Sequence, residues 1–183
     1  MVSQDKQGAK RVALRGVLVA AAMVLSWVEA QIPAFFAVPG MKLGLTNAVV
    51  LTALYLLSSR DAVVINLVRI VLVGFTFGSL FSMLYSLAGG LLSGAVMILL
   101  RKTGRFGPIG VSVAGGISHN VGQILVAMAV LESSYVLYYL PALWLSGLAA
   151  GTLIGVLCGV LLRRIPGKGL TTDGRSNKGA SRR

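Results

Sequence analysis

The sequence predicts an all-α integral membrane protein, a bundle of six transmembrane helices. Composition is the first reason: 56% of the 183 residues are hydrophobic and only 12% are charged, whereas a soluble domain is roughly 45–50% apolar and about 25% charged. Patterning is the second, because the apolar residues come in long runs, each able to cross a hydrocarbon core about 30 Å thick. Charge placement is the third. The formal net charge of +12 is bunched at the start, around 101–105 and at the end. A balance this basic also suits nucleic acid, but no soluble domain remains to form a binding surface, and the positive-inside rule accounts for it better.

The elements follow in order. A basic N-terminus, 1–11, leads into a first helix over about 12–32. That run could pass for a signal peptide, but Glu29 sits where a cleavage region prefers small residues, and the chain continues into more membrane. A turn-rich, aromatic connection with Lys42 follows. A second helix is expected at about 44–58, closed by Ser59, Arg60 and Asp61. The stretch from 61 to 101 is too long for one crossing, so Gly74 and Gly78 mark a break between helices at about 61–76 and 82–101. A polar loop with Arg101, Lys102 and Arg105 precedes a fifth helix at about 109–131, and a sixth runs over about 138–162. The membrane domain is thus 12–164, and the Gly/Ser-rich basic tail, 165–183, is expected to be disordered.

Six crossings put both termini on one side. Of the 17 Lys and Arg, only Lys42 then falls on the outer side and only Arg69 within a helix, so both termini are expected in the cytoplasm. The expected location is the bacterial cell membrane.

Buried polar residues are the candidate functional groups. Arg69 lies about eight residues into the third helix, roughly 12 Å deep, and a charge there costs several kcal/mol unless it snorkels, pairs or faces water. Asn66 shares its face. On the fifth helix Ser112, Gly116, His119, Gln123 and Ala127 form one small-and-polar stripe bordered by Asn120. Two readings stand side by side. These groups either tie helices together by hydrogen bonds, or line a solute cavity that Arg69 makes electropositive, with Glu29 as the candidate counter-charge. Small residues four apart on the first helix (Ala13, Gly16 and Ala20; Ala22, Ser26 and Ala30) mark close packing or docking on a partner. The ridge Gly147, Gly151, Gly155 and Gly159 is expected to pack internally.

Several chemistries are excluded. Cys158 is alone in an apolar run and implies neither a disulfide nor a metal site, and one His with one Cys makes no nucleophilic pair. No Walker A sequence is present, so the chain cannot power transport by itself. No cofactor is expected.

The stretches PGMKLGLTNAVVL after the first helix, FTFGSLFSMLYSLAGGLLSGAVMILLRK across the third and fourth, and GGISHNVGQILVA in the fifth resemble one bacterial membrane family. It is that of heptaprenyl diphosphate synthase component I, also called the Gx transporter family, and the resemblance covers about 10–164. The family in turn looks like the substrate-binding S components of energy-coupling factor (ECF) transporters, six-helix proteins that bind a micronutrient and associate with a membrane coupling protein and two ATPases. That resemblance implies docking of the coupling protein near Gly16, Ala20 and Ala22, and a solute pocket near the Lys42 loop. The synthase name implies magnesium held on aspartate-rich motifs, yet the five acidic residues are scattered, and hard cations need several carboxylate oxygens. The chain is therefore not that catalyst alone.

The expected function is solute binding for uptake of a small, anionic micronutrient or precursor, as an S-like component. The expected pocket combines Lys42, Asn47, Asn66, Arg69, His119, Asn120 and Gln123. The alternative is a non-catalytic membrane subunit that recruits or feeds a soluble prenyl diphosphate synthase in quinone side-chain synthesis.

Overall fold

A computed structural model describes residues 2–31, 42 and 44–164, with side chains from residue 8 on. Helices are the regular elements of the described residues: α1 (Val2–Gln31), α2 (Asn47–Leu56), α3 (Ser59–Thr76), α4 (Leu80–Thr103), α5 (Pro108–Leu131) and α6 (Leu140–Arg164), with a short 3-10 helix at Ser134–Tyr139 before α6. The tail from 165 on lies outside the described residues.

Local chemistry sets the boundaries. The Ser58 hydroxyl accepts the Asp61 backbone N–H at 3.1 Å and donates to its carboxylate at 2.8 Å, which caps α3. Ser79 caps α4 in the same way through the Ser82 N–H. Gly104, with φ of +68°, ends α4 in the left-handed conformation, and Pro108 opens α5, where its missing N–H costs nothing. The expected break between α3 and α4 falls at 77–79, near Gly78. Gly74 does not mark it. A Cβ on Gly74 would stand 2.7 Å from Met83 Sδ, so this glycine lets α4 approach α3 closely.

Segments Gly8–Gln31, Leu80–Thr103, Pro108–Leu131 and Ser134–Arg164 are each long and apolar enough to cross a membrane. Their outer surfaces carry exposed apolar side chains such as Val17, Leu99, Leu125 and Leu145, which only lipid would tolerate at this density. The chain is a membrane protein. By the same criterion α2 and α3 fall short of the six expected spans. α3 carries Arg60, Asp61 and Arg69 within 18 residues, and α2 has only 10 residues, a rise of roughly 15 Å.

α2 is the centre of the bundle. It touches each of the other five helices, while α1 packs on α2 and α3 alone among the described residues. Eight of its ten residues are buried, in keeping with a helix that is apolar all round. Its Val50, Leu51, Ala53 and Leu54 form the core with Leu18 and Ala22 of α1, Ile65 of α3, Met97 of α4 and Ile154 of α6. Glycines bring α5 and α6 together. An added Cβ on Gly116 would lie 2.5 Å from the Gly147 carbonyl oxygen, and those on Gly151 and Gly155 would strike the α5 backbone. The internal packing expected of the α6 ridge holds at these three positions. Gly159 differs, with no atom within 4 Å of such a carbon.

Candidate functional site: a buried polar chamber at the head of α2

A cluster of buried polar side chains, called the chamber below, gathers where the N-terminal end of α2 meets α1, α3, α4 and α5. The α5 stripe turns inward as its spacing requires, with Ser112, Gly116, His119, Gln123 and Ala127 all buried. On α3 the same periodicity buries Asn66, Arg69 and Ile70 and leaves Val68, Val71 and Leu72 exposed. Arg69 is only 1% exposed. Its guanidinium donates to Asn66 Oδ1 at 2.7 Å, and its Nε has no hydrogen-bond partner among the described residues.

His119 and Gln123 meet through their Nε2 atoms at 2.8 Å. The Gln123 carbonyl oxygen also accepts the Lys42 backbone N–H at 3.2 Å, so α5 holds the connection that leads into α2. Two glycines flank the imidazole. A Cβ on Gly44 would stand 3.1 Å from His119 Cδ2, and one on Gly89 would stand 2.9 Å from Nδ1. Gly44 also has φ of +82°, a conformation open to glycine at little steric cost.

Glu29, which the sequence offers only as a counter-charge, has a second role. Its Oε1 accepts the backbone N–H groups of Gly44 and Leu45, the latter at 3.2 Å. Its Oε2 has no partner among the described residues, and it makes no ion pair with Arg69, although the two are in electrostatic range. Lys42 lies within range of both. Burial pushes the Lys42 ammonium below its ordinary pKa, with Glu29 opposing and Arg69 adding to the shift. Arg69 and Lys42 against Glu29 leave one formal positive charge in excess. Asn47, at the first position of α2, is 4% exposed, and neither carboxamide atom has a partner among the described residues.

The structure thus brings Lys42, Asn47, Asn66, Arg69, His119 and Gln123 around the N-terminal end of α2. Asn120 does not join them. Its amide donates to the Leu143 carbonyl at 2.6 Å and to Ser146 Oγ at 3.4 Å, so it ties α5 to α6. Among the candidate docking residues, Gly16 and Ala20 are exposed, but Ala22 is buried in the core at 1% exposure, where a partner cannot reach it. Gly44 and Gly89 are the chamber residues that the sequence does not single out, and Glu29 it names only as a counter-charge. Only the Glu29 charge within an apolar run gave a signal.

Chemically, the cluster offers two cationic side chains, Lys42 and Arg69, and the carboxamides of Asn47 and Asn66. No group of three or more His, Cys, Asp or Glu suited to a metal occurs among the described residues.

Fold and site together define a polytopic helical membrane protein with a charged chamber buried among its helices. A family model, heptaprenyl diphosphate synthase component I, matches residues 18–161, and the chain belongs to that family. No curated protein and no solved structure matches the chain.

Proposed function

We propose that this protein is a non-catalytic membrane subunit that binds an anionic small molecule in the α2 chamber and works alongside a heptaprenyl diphosphate synthase. The observation that carries the reading is Arg69. An arginine sealed inside a membrane bundle costs several kcal/mol, and here, among the described residues, it has one neutral hydrogen-bond partner and an unpartnered Nε. Family membership supplies the synthase, and a diphosphate is an anion that a guanidinium binds well. The acidic residues argue for an accessory role, since Glu29 is already engaged with backbone N–H groups and none of the other acidic residues is near it in sequence. All six helices belong to the membrane-embedded bundle in this reading, with both termini in the cytoplasm of a bacterial cell.

One observation favours a second reading, the S-like component of an ECF-type uptake transporter. The face of α1 that carries Gly16 and Ala20 is exposed, and no atom lies within 4 Å of a Cβ placed on Gly16. Such a face admits a second helix at short range.

The experiment is a gentle detergent pull-down of the tagged protein from its own host, with partners identified by mass spectrometry. A prenyl diphosphate synthase subunit without ATPases is the expected result. Two ATPases with a membrane coupling protein would overturn it in favour of the transporter.

A further inference from the structure

α3 and α4 run antiparallel and part towards the end that holds Ser59 and Thr103. A Cβ on Gly74 would stand 2.7 Å from Met83 Sδ, and one on Gly90 would stand 2.8 Å from Asn66 Nδ2, so the helices are close there. One turn further along α4, a Cβ built on Gly94 has no atom within 4 Å. The gap is a cleft of about 230 Å³, floored by Val50 and Leu54 of α2 and walled by Ala62 and Met97. Val63, Leu91 and Ala95 line it too and are exposed, so the cleft opens to the outside of the bundle, where lipid lies.

The lining selects hydrocarbon. Asn66 is its one polar residue, and the Asn66 carbonyl oxygen is already taken by Arg69. An apolar cavity of about 150 Å³ holds benzene, so this one takes roughly nine carbons in proportion. From Leu91 to Ile98 the cleft follows roughly 10 Å of helix, against about 15 Å for half of a hydrocarbon core. That is room for much of one acyl chain.

Charge stands at one end of it. Arg101 and Lys102 follow Ile98 by three and four residues, which places them one turn beyond it on the same side of α4. Arg60 precedes Val63 by one turn on α3. None of these three cations makes an ion pair among the described residues, and Asp61, next to Arg60, is taken by Arg15 at 2.5 Å. The Arg101 guanidinium lies over the Tyr55 ring, its central carbon 5.1 Å from the centroid. Stacking of this kind uses the flat face of the cation and leaves its N–H edge for an acceptor.

We infer that the cleft is a binding site for one phospholipid with an anionic headgroup, whose acyl chain fills the gap beside Gly94 while its phosphate meets Arg101 and Arg60. Basic pockets between helices at a membrane surface hold anionic head groups in this way. The cations decide the occupant, because a partner's apolar helix would fill the cleft and leave them unpaired. The site is separate from the chamber and does not depend on what the chamber binds.

The test is native mass spectrometry of the full chain released from nanodiscs of equal parts phosphatidylglycerol and phosphatidylcholine. One phosphatidylglycerol per chain is expected to stay bound, preferred about fivefold or more over phosphatidylcholine, the advantage of at least one interfacial cation. Arg60→Gln combined with Arg101→Gln should erase that preference while a lipid is still retained. Gly94→Leu should abolish retention of both lipids, as should Ala95→Phe, which fills the cleft from its rim, with thermal unfolding showing that each variant is folded. Equal retention of the two lipids by the native chain would overturn the proposal, as would a preference that survives the paired arginine variant. Retention that survives a folded filling variant would place the lipid elsewhere on the bundle and overturn it too. A native chain that carries no lipid would leave the cleft to a partner's helix.

Discussion

Gln123 and His119 stand one turn apart on α5 with their Nε2 atoms 2.8 Å apart, while the Gln123 carbonyl oxygen takes the Lys42 backbone N–H. That second bond fixes which end of the carboxamide faces the ring. The amide nitrogen must donate to His119 Nε2, so this network assigns the ring proton to Nδ1, on the Gly89 side.

Gln123→Glu removes the donor and keeps the acceptor. The ring proton should then move to Nε2, and nitrogen NMR of the labelled protein reads this directly because the chain has one histidine. Gln123→Leu removes both bonds and should cost about 1–3 kcal/mol by leaving buried groups unsatisfied. Thermal unfolding in detergent would measure it.

Arg69→Met should separate binding from stability. Diphosphate affinity is expected to fall ten- to a hundredfold, in line with the roughly 1.5–3 kcal/mol of a charge-assisted hydrogen bond. The melting temperature should hold or rise, because a costly buried charge has gone. A large fall in melting temperature with unchanged binding would make Arg69 a structural residue.

Lys42 gives the site a pH dependence. Its pKa lies below the ordinary lysine value of about 10.4, so its charge is lost at a lower pH than usual. Diphosphate affinity should decline as pH rises through that range, and Lys42→Arg should abolish the decline. Stability moves the other way. Between the lowered and ordinary values the unfolded chain holds a proton that the folded chain has released, so the Lys42 contribution rises with pH. Titrations of affinity and of melting temperature at alkaline pH should therefore slope in opposite directions.

Two glycines of equal size should behave very differently. Gly116→Leu drives a side chain into the Gly147 backbone and is expected to cost more than 3 kcal/mol or to prevent assembly. A Cβ on Gly16 meets nothing within 4 Å, and Gly16→Leu should leave thermal stability unchanged. Partner capture by the Gly16 variant is then informative, since loss of a helical membrane partner would place the docking face on α1.

Much of this fold was legible because the 3.6-residue period acts on every helix alike. The inward stripe on α5 and the Asn66–Arg69 face on α3 follow from spacing alone. Asn120 shows the limit. It follows His119 directly, and the 100° between neighbours on a helix aims the two side chains at different helices, which no count of polar residues distinguishes. The length of α2 was hidden for another reason. Its apolar run continues to Leu57, and hydropathy records how far a segment avoids water but not whether protein or lipid surrounds it. Glu29 was read as a charge seeking a charge, whereas the backbone N–H groups of Gly44 and Leu45 claim one of its oxygens. That contact joins residues fifteen apart and depends on the path of the chain between them.

The ten-residue length of α2 has a consequence for traffic through the molecule. A column that short, enclosed by five neighbours and apolar from Val49 to Leu51 and again at Ala53 and Leu54, acts as a plug beneath the chamber. Passage straight through would require α2 to slide like a piston, dragging Gly44 and Leu45 off the Glu29 carboxylate as it went.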